Sequence, residues 1–388
     1  MTYSVNDYID MIGDPHRTGA YVRALRKMVT RESVVLDIGA GFGFFAVLAA
    51  KLGAKRAYAI EPNDAIGLGP ALARANGVAD RVSFFQGDAR QVELDERANL
   101  LVEDVRGILP LHAERVNLLC DARERLLTAD ARFVACRDHI WAAPARHAPS
   151  LQQSIETTGA DMYGVDLRGL RGHVVDDARR RRPAPDELLL PGAPLGALDL
   201  LTVTDPNFDG TARWTPSTTV TADGFVLWFD AELAEGEGFS TRPGPEQTIH
   251  GCLYLPLREP LAVPAGAELA LRFCGVQVSR DYTWTWECTV TRAGASVVRT
   301  PRQSALGGLA LTPARLAAMS ELHQPTLGLE ARRLRAVIDL MEVPRQSGDL
   351  AVVLAAQRAL EFTNGSDAFD WLQRVLPQLE SGTTRMLK

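Results

Sequence analysis

Apolar side chains recur at helical spacing near the beginning of the chain. Tyr21, Leu25, Met28 and Val29 are separated by one, three or four residues, a spacing that places side chains on one face of an α-helix. This pattern precedes the first strand-like run, so residues 1–30 are predicted to form an N-terminal helical cap.

Between residue 33 and about residue 137, strand-like runs alternate with helix-like runs. The strand-like runs are SVVLDI, AYAI, VSFF, LLVE and RFVA, and the runs between them include FFAVLAAKL and ERVNLLCDARERLL. Such alternation is typical of a parallel sheet with crossover helices. It predicts a Rossmann-like α/β domain over residues 31–143.

From about residue 140 to 300 the helical period is absent. Short alternating stretches such as GFVLWFDAEL, TIHGCLYLPL and YTWTWECTV are separated by proline and glycine, as in an antiparallel barrel or sandwich. We therefore predict a β-barrel domain over residues 144–301. Within it, four consecutive arginines at 179–182 lie in a proline-rich stretch and are predicted to form a solvated loop.

The last section, residues 302–388, has helical periodicity again. Thr312 before Pro313 is a helix-start signal. Four amphipathic helices are predicted, in TPARLAAMSELH, GLEARRLRAVIDLME, GDLAVVLAAQRALEF and SDAFDWLQRVLPQLE. The predicted fold class is therefore α/β followed by β, with a C-terminal helical module.

Charge and composition narrow the classes of partner. The 388 residues carry a net charge of −6, which gives no electrostatic reason to expect nucleic acid as a partner. No apolar run reaches membrane-spanning length and the first residues lack the order of a signal peptide, so we expect a soluble, cytoplasmic protein with no membrane partner. The five cysteines form no C-x-x-C pair, which favours neither a zinc site nor a disulfide framework.

A glycine-rich turn follows the first predicted strand. Asp37, Gly39, Gly41 and Gly43 form D-x-G-x-G-x-G, where the backbone can turn sharply and present N–H groups at a helix N-terminus. A dinucleotide site would place its third glycine one residue later, at Phe44. The spacing therefore disfavours NAD.

Acidic residues follow the next two strands. Glu61 ends the second strand, where a carboxylate can accept hydrogen bonds from both ribose hydroxyls, and Asp88 follows the third, where an adenine edge would lie. Any one of these features can be a structural turn. Together, the three strand ends predict a bound adenosyl ligand.

With these motifs the chain resembles the class I S-adenosylmethionine-dependent methyltransferases. Over residues 1 to about 300 it is similar to the protein arginine methyltransferase family, which joins such a domain to a β-barrel that carries a helical dimerisation arm. The stretch MIGDPHRT, residues 11–18, resembles the family's helix before the first strand. YGVDL, residues 163–167, precedes the insert as in the family, and STRPGPEQTIHGCLYLPL follows the pattern of the barrel loop that carries Thr-His-Trp.

The resemblance implies a cofactor, an assembly and a set of contacts. The cofactor is S-adenosyl-L-methionine, and Arg17 would bind its carboxylate. An arm at about residues 165–200 would form a homodimer. The implied cofactor-binding residues are Arg17, Asp37, Gly39, Gly41, Glu61 and Asp88.

The predicted acceptor loop departs from the family pattern. The family binds the substrate guanidinium with two glutamates, because paired carboxylates neutralise and orient it. Aligned on Gly107, Asp104 takes the first position and Ala113 the second, with Glu114 one step beyond. Arg106 in the same loop would repel a guanidinium but could bind a carboxylate or phosphate. The tryptophan after the barrel histidine is also absent.

The candidate acceptor-site residues each have a structural alternative. Glu103 could cap the next turn, and Asp104 with Arg106 could form an ion pair that shapes the loop. His112 could be a packed side chain, and Glu114 could be a first-turn helix acid. His250 is equally compatible with a catalytic and a structural role.

Three functional hypotheses follow. The first is methyl transfer to arginine or another basic nitrogen of a protein or peptide, by in-line displacement that needs no metal. The second is N- or O-methylation of a small, partly anionic metabolite, which Arg106 favours. The third is an inactive homologue that uses the fold and its C-terminal helices to bind protein.

Overall fold

The computed structural model describes residues 3–292, 295–310, 327–379 and 385–387. These residues form two compact units: the larger holds the described residues up to 310 together with 385–387, and the smaller holds 327–379. The helix predicted in TPARLAAMSELH lies outside the described residues. Within the described part of the chain, no helix is long and apolar enough to cross a membrane.

Two helices precede the first strand of the larger unit, as predicted. They are α1 (Val5–Gly13) and α2 (Pro15–Met28). The Asp14 side chain accepts hydrogen bonds from the first backbone N–H groups of α2, which satisfies donors that have no partner within the helix. Tyr21 and Leu25 lie on the buried face of α2, so the apolar spacing identified this face correctly.

A six-stranded sheet forms the centre of the predicted Rossmann-like region. Its first five strands in the chain are β1 (Val34–Ile38), β2 (Arg56–Glu61), β3 (Val82–Gln86), β4 (Ala98–Glu103) and β5 (Leu127–Val134). These five are mutually parallel in the order β3-β2-β1-β4-β5. A C-terminal strand, Arg385–Leu387, pairs antiparallel with β3.

Three helices connect these strands. They are α3 (Phe44–Lys51), α4 (Gly69–Ala75) and α5 (Arg115–Asp121). In such a sheet the carboxyl ends of neighbouring strands lie along one edge, where ligands bind. The glycine turn after β1, Glu61 at the end of β2 and the loop after β4 therefore lie at the same edge.

Two large antiparallel sheets and a separate two-stranded hairpin follow, which confirms the predicted second part of the fold class. The strands are β6 (Arg137–Ala145), β7 (Asp161–Met162), β8 (Val165–Asp166), β9 (Arg179–Arg181), β10 (Ala193–Asp199), β11 (Phe208–Trp214), β12 (Val220–Ala234), β13 (Glu237–Ser240), β14 (Cys252–Val263), β15 (Glu268–Val278), β16 (Asp281–Arg292), β17 (Ala295–Arg299) and β18 (Gln303–Ser304). One sheet has the order β10-β6-β12-β14-β9, with β13 beside β12, and the other has the order β11-β15-β16-β17, with β18 beside β16.

The two sheets share one apolar core. Phe225 from the first sheet and Phe273 and Trp286 from the second are almost fully buried in it, as expected where alternating side chains of two sheets face each other. Among the described strands, the sheets remain separate in their hydrogen bonding. The domain is therefore barrel-like but is not a single closed barrel.

The predicted arm at about residues 165–200 is wrong in its second part. Residues 179–181 form β9, which pairs with β14, and residues 193–199 form β10, which pairs with β6. The part outside these sheets consists of α6 (Pro149–Thr158), the β7–β8 hairpin and α7 (Arg171–Val175). The arginine run was predicted as a loop because nothing local shows that β14 supplies a partner strand.

The smaller unit has its own apolar core. It contains α8 (Leu329–Met341), α9 (Ser347–Ala356) and α10 (Gly365–Leu379). Val337, Leu354 and Leu372, one from each helix, are completely buried together. The three predicted helices that lie in the described residues are therefore present.

Candidate active site

A cavity of about 470 Å³ opens at the carboxyl edge of the parallel sheet, a size typical of small-molecule sites. Every predicted site residue except Glu103 lines it. These residues come from α2, the strand ends and the loop after β4, with His250 contributed from the stretch before β14. The structure therefore brings together residues that are up to 233 positions apart, as between Arg17 and His250.

The glycine turn has no space for larger side chains. Gly41 and Gly43 have positive φ angles of 57° and 86°, a backbone region that favours glycine. A β-carbon at Gly41 would lie 2.7 Å from the Tyr8 ring, and one at Gly43 would lie 2.6 Å from the Phe84 ring. The turn is thus held tightly between α1 and β3, with its backbone beside the cavity.

Glu61 joins the second strand to this turn. Its carboxylate accepts a hydrogen bond from the backbone N–H of Gly41 at 3.0 Å and another from Asn63 at 2.9 Å. Burial raises the pKa of Glu61, although these two hydrogen bonds oppose the shift. A carboxylate has about four acceptor positions, so Glu61 can still accept hydrogen bonds from two hydroxyl groups.

Asp37 lies on the other side of the turn and is also buried. Its carboxylate accepts a hydrogen bond from the backbone N–H of Ala46, in the first turn of α3, at 3.1 Å. Burial raises the pKa of Asp37 to about 7. Neither Asp37 nor Glu61 has an arginine, lysine or histidine within ion-pair distance in the described residues.

Asp88 lies in a four-residue ion-pair cluster at the cavity wall. The Arg90 guanidinium binds the Asp88 carboxylate at 2.6 Å and the Glu114 carboxylate at 3.1 Å. Glu114 also lies 3.2 Å from Arg280, in the turn between β15 and β16. The hydrogen bonds from Arg90 hold the pKa of Asp88 below its usual range. Glu114 makes no side-chain cap on α5, so its predicted alternative as a first-turn acid is not what positions it.

The acceptor loop rests on a second cluster, a buried chain of alternating cations and anions. Neighbouring members make ion pairs, and each of the six side chains is at most 7% exposed. We call this set the buried ion-pair chain, and its members in order are Arg17, Asp104, Arg106, Asp138, Arg115 and Glu103.

Arg106 is at the centre of this chain and is fully buried. Its guanidinium donates to Asp138 at 2.8 Å, to Asp104 at 2.7 Å and to the Tyr21 hydroxyl at 2.7 Å. The prediction that Arg106 binds an anionic acceptor is therefore wrong. The structure instead shows the predicted alternative, in which Arg106 forms ion pairs that shape the loop. The physical reason is that Asp138, 32 positions later in the chain, satisfies the guanidinium.

Glu103 also differs from the prediction. Its carboxylate is bound bidentately by the Arg115 guanidinium and accepts a hydrogen bond from the backbone N–H of Val105 at 3.0 Å. It does not line the cavity. Glu103 therefore fixes the start of the acceptor loop and does not contact the space an acceptor would occupy.

Asp104 is the carboxylate of the chain that reaches the cavity. Burial alone would raise its pKa, but Arg17 and Arg106 outweigh burial and hold the pKa well below the usual range. Arg17 also donates to the backbone carbonyl of Met11 at 2.9 Å. Asp104 is therefore ionised and already neutralised by this chain's own residues.

His250 lines the cavity, and one of its ring nitrogens is held by the acceptor loop. Its Nδ1 lies 3.0 Å from the Gly107 carbonyl oxygen; because that oxygen only accepts, Nδ1 carries the hydrogen. Its buried Nε2 has no hydrogen-bond partner among the described residues and lies 3.9 Å from the Asp104 carboxylate. Burial lowers the pKa of His250 to about 4, so the ring is neutral at pH 7 and Nε2 is an acceptor.

His112 packs beside the same glycine. A β-carbon at Gly107 would lie 2.7 Å from His112 Nδ1, so a larger residue there would displace the ring. Burial lowers the pKa of His112. The next residue, Ala113, has a positive φ of 46°, an uncommon conformation for a residue other than glycine. His112 lines the cavity, but its ring has a packing role as well.

Sequence reasoning missed several residues of the two clusters. Arg115 and Asp138 complete the buried ion-pair chain, and Arg90 and Arg280 complete the cluster at the wall. A signal was available for Asp138, because an acid in the otherwise strand-like run RDHIWAAPA requires a buried partner. Arg115 carried no such local signal.

Several known proteins resemble this chain in sequence. A family model described as ribosomal protein L11 methyltransferase (PrmA) matches residues 13–121. A probable histone-arginine methyltransferase 1.3 of Arabidopsis thaliana is 28% identical over 286 residues, 68% of this chain and 52% of its own length. A probable protein arginine N-methyltransferase 6 of the same plant is 25% identical over 58% of this chain and 54% of its own length. The chain thus spans about half the length of these relatives.

Solved structures share the fold. Arabidopsis thaliana protein arginine methyltransferase 10 superposes with a TM-score of 0.69 at 20% identity, over 78% of this chain and 97% of that structure. The Trypanosoma brucei PRMT1 enzyme-prozyme complex with AdoHcy gives a TM-score of 0.70 at 19% identity, over 78% and 98%. In sequence and in fold, the chain resembles the protein arginine methyltransferases, as its motifs predicted.

Proposed function

We propose that the protein is an S-adenosylmethionine-dependent methyltransferase that acts on arginine or another basic nitrogen of a protein or peptide. The observation that carries the proposal is the hydrogen bond from Gly41 to Glu61. It fixes a carboxylate beside a tight glycine turn, at the edge of a parallel sheet where nucleotides bind. The relatives' names, which are those of arginine methyltransferases, support the substrate class.

The residues present fit this cofactor. Glu61 has acceptor positions for the ribose hydroxyls. The carboxyl groups of Asp37 and Glu61 have no cationic partner in the described residues, which suits a ligand with a sulfonium and an ammonium group because such a ligand would favour their ionised forms. Arg17 keeps one guanidinium nitrogen, Nη2, without a hydrogen-bond partner among the described residues, and this nitrogen could bind the carboxylate. When bound, S-adenosylmethionine supplies an electrophilic methyl group.

His250 is positioned to accept the proton of the acceptor nitrogen. The nitrogen needs a lone pair to react, so its proton must go to a base in reach. His250 lines the cavity, and its buried Nε2 has no hydrogen-bond partner in the described part of the chain. The Asp104 carboxylate at 3.9 Å would stabilise the imidazolium that forms.

The alternative acceptor, a small and partly anionic metabolite, was favoured by the changed acceptor loop and by Arg106 as an anion-binding group. That guanidinium is engaged by Asp138, Asp104 and Tyr21. Methylation of a protein or peptide is therefore the better-supported proposal.

Two measurements test this function. In calorimetry, S-adenosylmethionine and its demethylated product should bind, with NAD much weaker; tighter binding of NAD would refute a methyltransferase. In the second, isotope-labelled cofactor is incubated with a library of arginine- and lysine-containing peptides. We expect label on nitrogen, and binding without any transfer would favour the inactive homologue.

We also propose that the protein is a homodimer. The segment outside the sheets exposes apolar side chains: Tyr163 is fully exposed, and Val165 and Leu170 are 59% and 52% exposed. Exposed apolar groups at a hairpin tip are typical of a contact surface. Sedimentation should report a dimer at micromolar concentration, and Tyr163→Ser with Leu170→Ser should yield monomers. A wild-type monomer would contradict this.

A cytoplasmic location and the domain boundaries at residues 30/31 and 143/144 are also proposals. All five cysteines are free thiols, which suits a reducing compartment. Cell fractionation and limited proteolysis test the two points separately.

A further inference from the structure

The four arginines at 179–182 divide into two pairs with different surroundings. Arg179 lies 3.0 Å from Asp177, and Arg181 lies 2.5 Å from Glu187. Arg180 and Arg182 have no carboxylate within ion-pair distance in the described residues. Successive residues of a strand point to opposite faces, so Arg179 and Arg181 form a neutralised face of β9. We call Arg180, on the opposite face, and Arg182, directly after the strand, the charged face.

The charged face lies beside the candidate active site. Arg180 Nε donates to the backbone carbonyl of His250 at 2.9 Å, and Arg182 Nη2 donates to that of Ile249 at 3.4 Å. His250 and Tyr3 both line the cavity. Burial and the charge of Arg182 lower the pKa of Arg180, and Tyr3 opposes this shift. Two cations without acidic partners are thus next to the cavity and close to each other.

Their position in the sheet suits an extended ligand. β9 is at the end of its sheet, with β14 as its neighbour on one side. Arg180 lies in β9 and Arg182 directly follows it. Residues two apart in an extended chain are separated by roughly 7 Å, which is also the spacing of alternate residues in an extended peptide. Carboxylates at alternate positions of such a peptide would match Arg180 and Arg182.

At the acceptor-loop end of the cavity, the lining carboxylates do not favour a cationic segment over an acidic one. Asp104 and Glu114 both line it, and both are neutralised by arginines of this chain. A segment rich in arginine would meet Arg180 and Arg182 without compensation. Charge complementarity therefore favours an acidic segment.

We propose that Arg180 and Arg182 bind acidic residues that flank the methylated nitrogen of a peptide acceptor. This inference rests on the proposed methyltransferase function and specifies its substrate class. The arginine pair selects and holds the acceptor, while the cofactor site at the glycine turn is independent of it.

The test uses fluorescein-labelled nonapeptides with a central arginine and either aspartate or asparagine at alternate positions. Fluorescence anisotropy measures their binding to the full chain, to Arg180→Gln/Arg182→Gln and to a control with equal charge loss, Arg213→Gln/Arg299→Gln. We expect the target variant to lose about tenfold in affinity for the aspartate peptide, the size of two exposed charge pairs. The control and the asparagine peptide should change little.

Reversing the charge of both arginines should reverse the charge preference for the peptide. Arg180→Glu/Arg182→Glu should prefer a lysine peptide to the aspartate peptide. Equal binding of the aspartate and asparagine peptides by wild type, or an unchanged affinity in the glutamine variant, would overturn the proposal. Displacement of the peptide by equimolar free aspartate would also overturn it, because the site would then be one for small anions.

Cofactor calorimetry on the same variants separates this inference from the proposed function. We expect unchanged binding of S-adenosylmethionine in the glutamine variant. If wild type binds the cofactor normally but does not distinguish the aspartate peptide from the asparagine peptide, the acidic-segment proposal alone is refuted. Wild type that binds no cofactor would refute the underlying function.

Discussion

At the glycine-turn end of the cavity, the carboxylates of Asp37 and Glu61 accept hydrogen bonds from backbone N–H groups and, in the described part of the chain, from no side chain. At the acceptor-loop end, Asp104 is bound by Arg17 and Arg106. The same side-chain type therefore has no cationic partner among the described residues at one end and belongs to a neutralised framework at the other. Carboxylates indicate a cation-binding pocket only where the chain has not already neutralised them.

The largest expected effect concerns the buried ion-pair chain. Asp138→Asn removes the charge that Arg106 and Arg115 share. It should lower the free energy of unfolding by about 3–5 kcal/mol, because breaking a buried pair leaves an uncompensated charge. Urea unfolding followed by tryptophan fluorescence measures this.

The exposed pair between Arg272 and Asp209, whose side chains are 52% and 53% exposed, provides the matched control. Asp209→Asn should cost at most roughly 1 kcal/mol. Equal losses in both variants would mean that the loop end is not an energetically important framework.

A second variant tests whether the acceptor-loop end of the cavity is a guanidinium-binding site that the Arg106 side chain occupies. Arg106→Ala should destabilise the protein by about 3 kcal/mol or more, and guanidinium ion at low millimolar concentration should partly restore its melting temperature. Ions of this size could fit between Asp104, Asp138 and Tyr21, which all contact the Arg106 guanidinium. Sodium at equal ionic strength is the control, and equal recovery with sodium would count against such a site.

At the other end, Glu61→Ala should weaken cofactor binding rather than folding. We expect a loss of roughly 1–3 kcal/mol in binding free energy by calorimetry, the cost of leaving hydrogen-bonded groups unpaired. Glu32→Ala, on the surface of the same unit, is the control. An unchanged affinity in Glu61→Ala would remove this residue from the site.

The smallest expected effect is a difference in pH dependence between the two ends. The pKa of His250 is lowered to about 4 in the folded protein, so the unfolded state binds the proton at higher pH than the folded state does. The stability of wild type relative to His250→Gln should therefore rise as the pH rises from 4 to 6.5. The pKa of Asp37 is raised to about 7, so wild type should lose stability relative to Asp37→Asn as pH rises from 4 to 7. Thermal melts at several pH values measure both slopes, and slopes of the same sign would contradict the comparison.

The sequence by itself determined the parallel sheet, the antiparallel second part and the glycine-turn end of the site. These depend on local patterns: hydrophobic period, glycine at positive φ and a carboxylate at a strand end. Asp37, Gly41 and Glu61 lie within one β-α-β unit, so their spacing in sequence nearly fixes their spacing in space.

Only the tertiary structure decided the acceptor-loop end and the edge strand β9. Arg106 is neutralised by Asp138 from β6, and His250 reaches the cavity from a stretch more than a hundred positions away. Whether an arginine binds a ligand or an internal carboxylate depends on which long-range partner folding brings within hydrogen-bond distance. Side-chain identity alone does not contain that information, because the electrostatic energy depends on distance and burial.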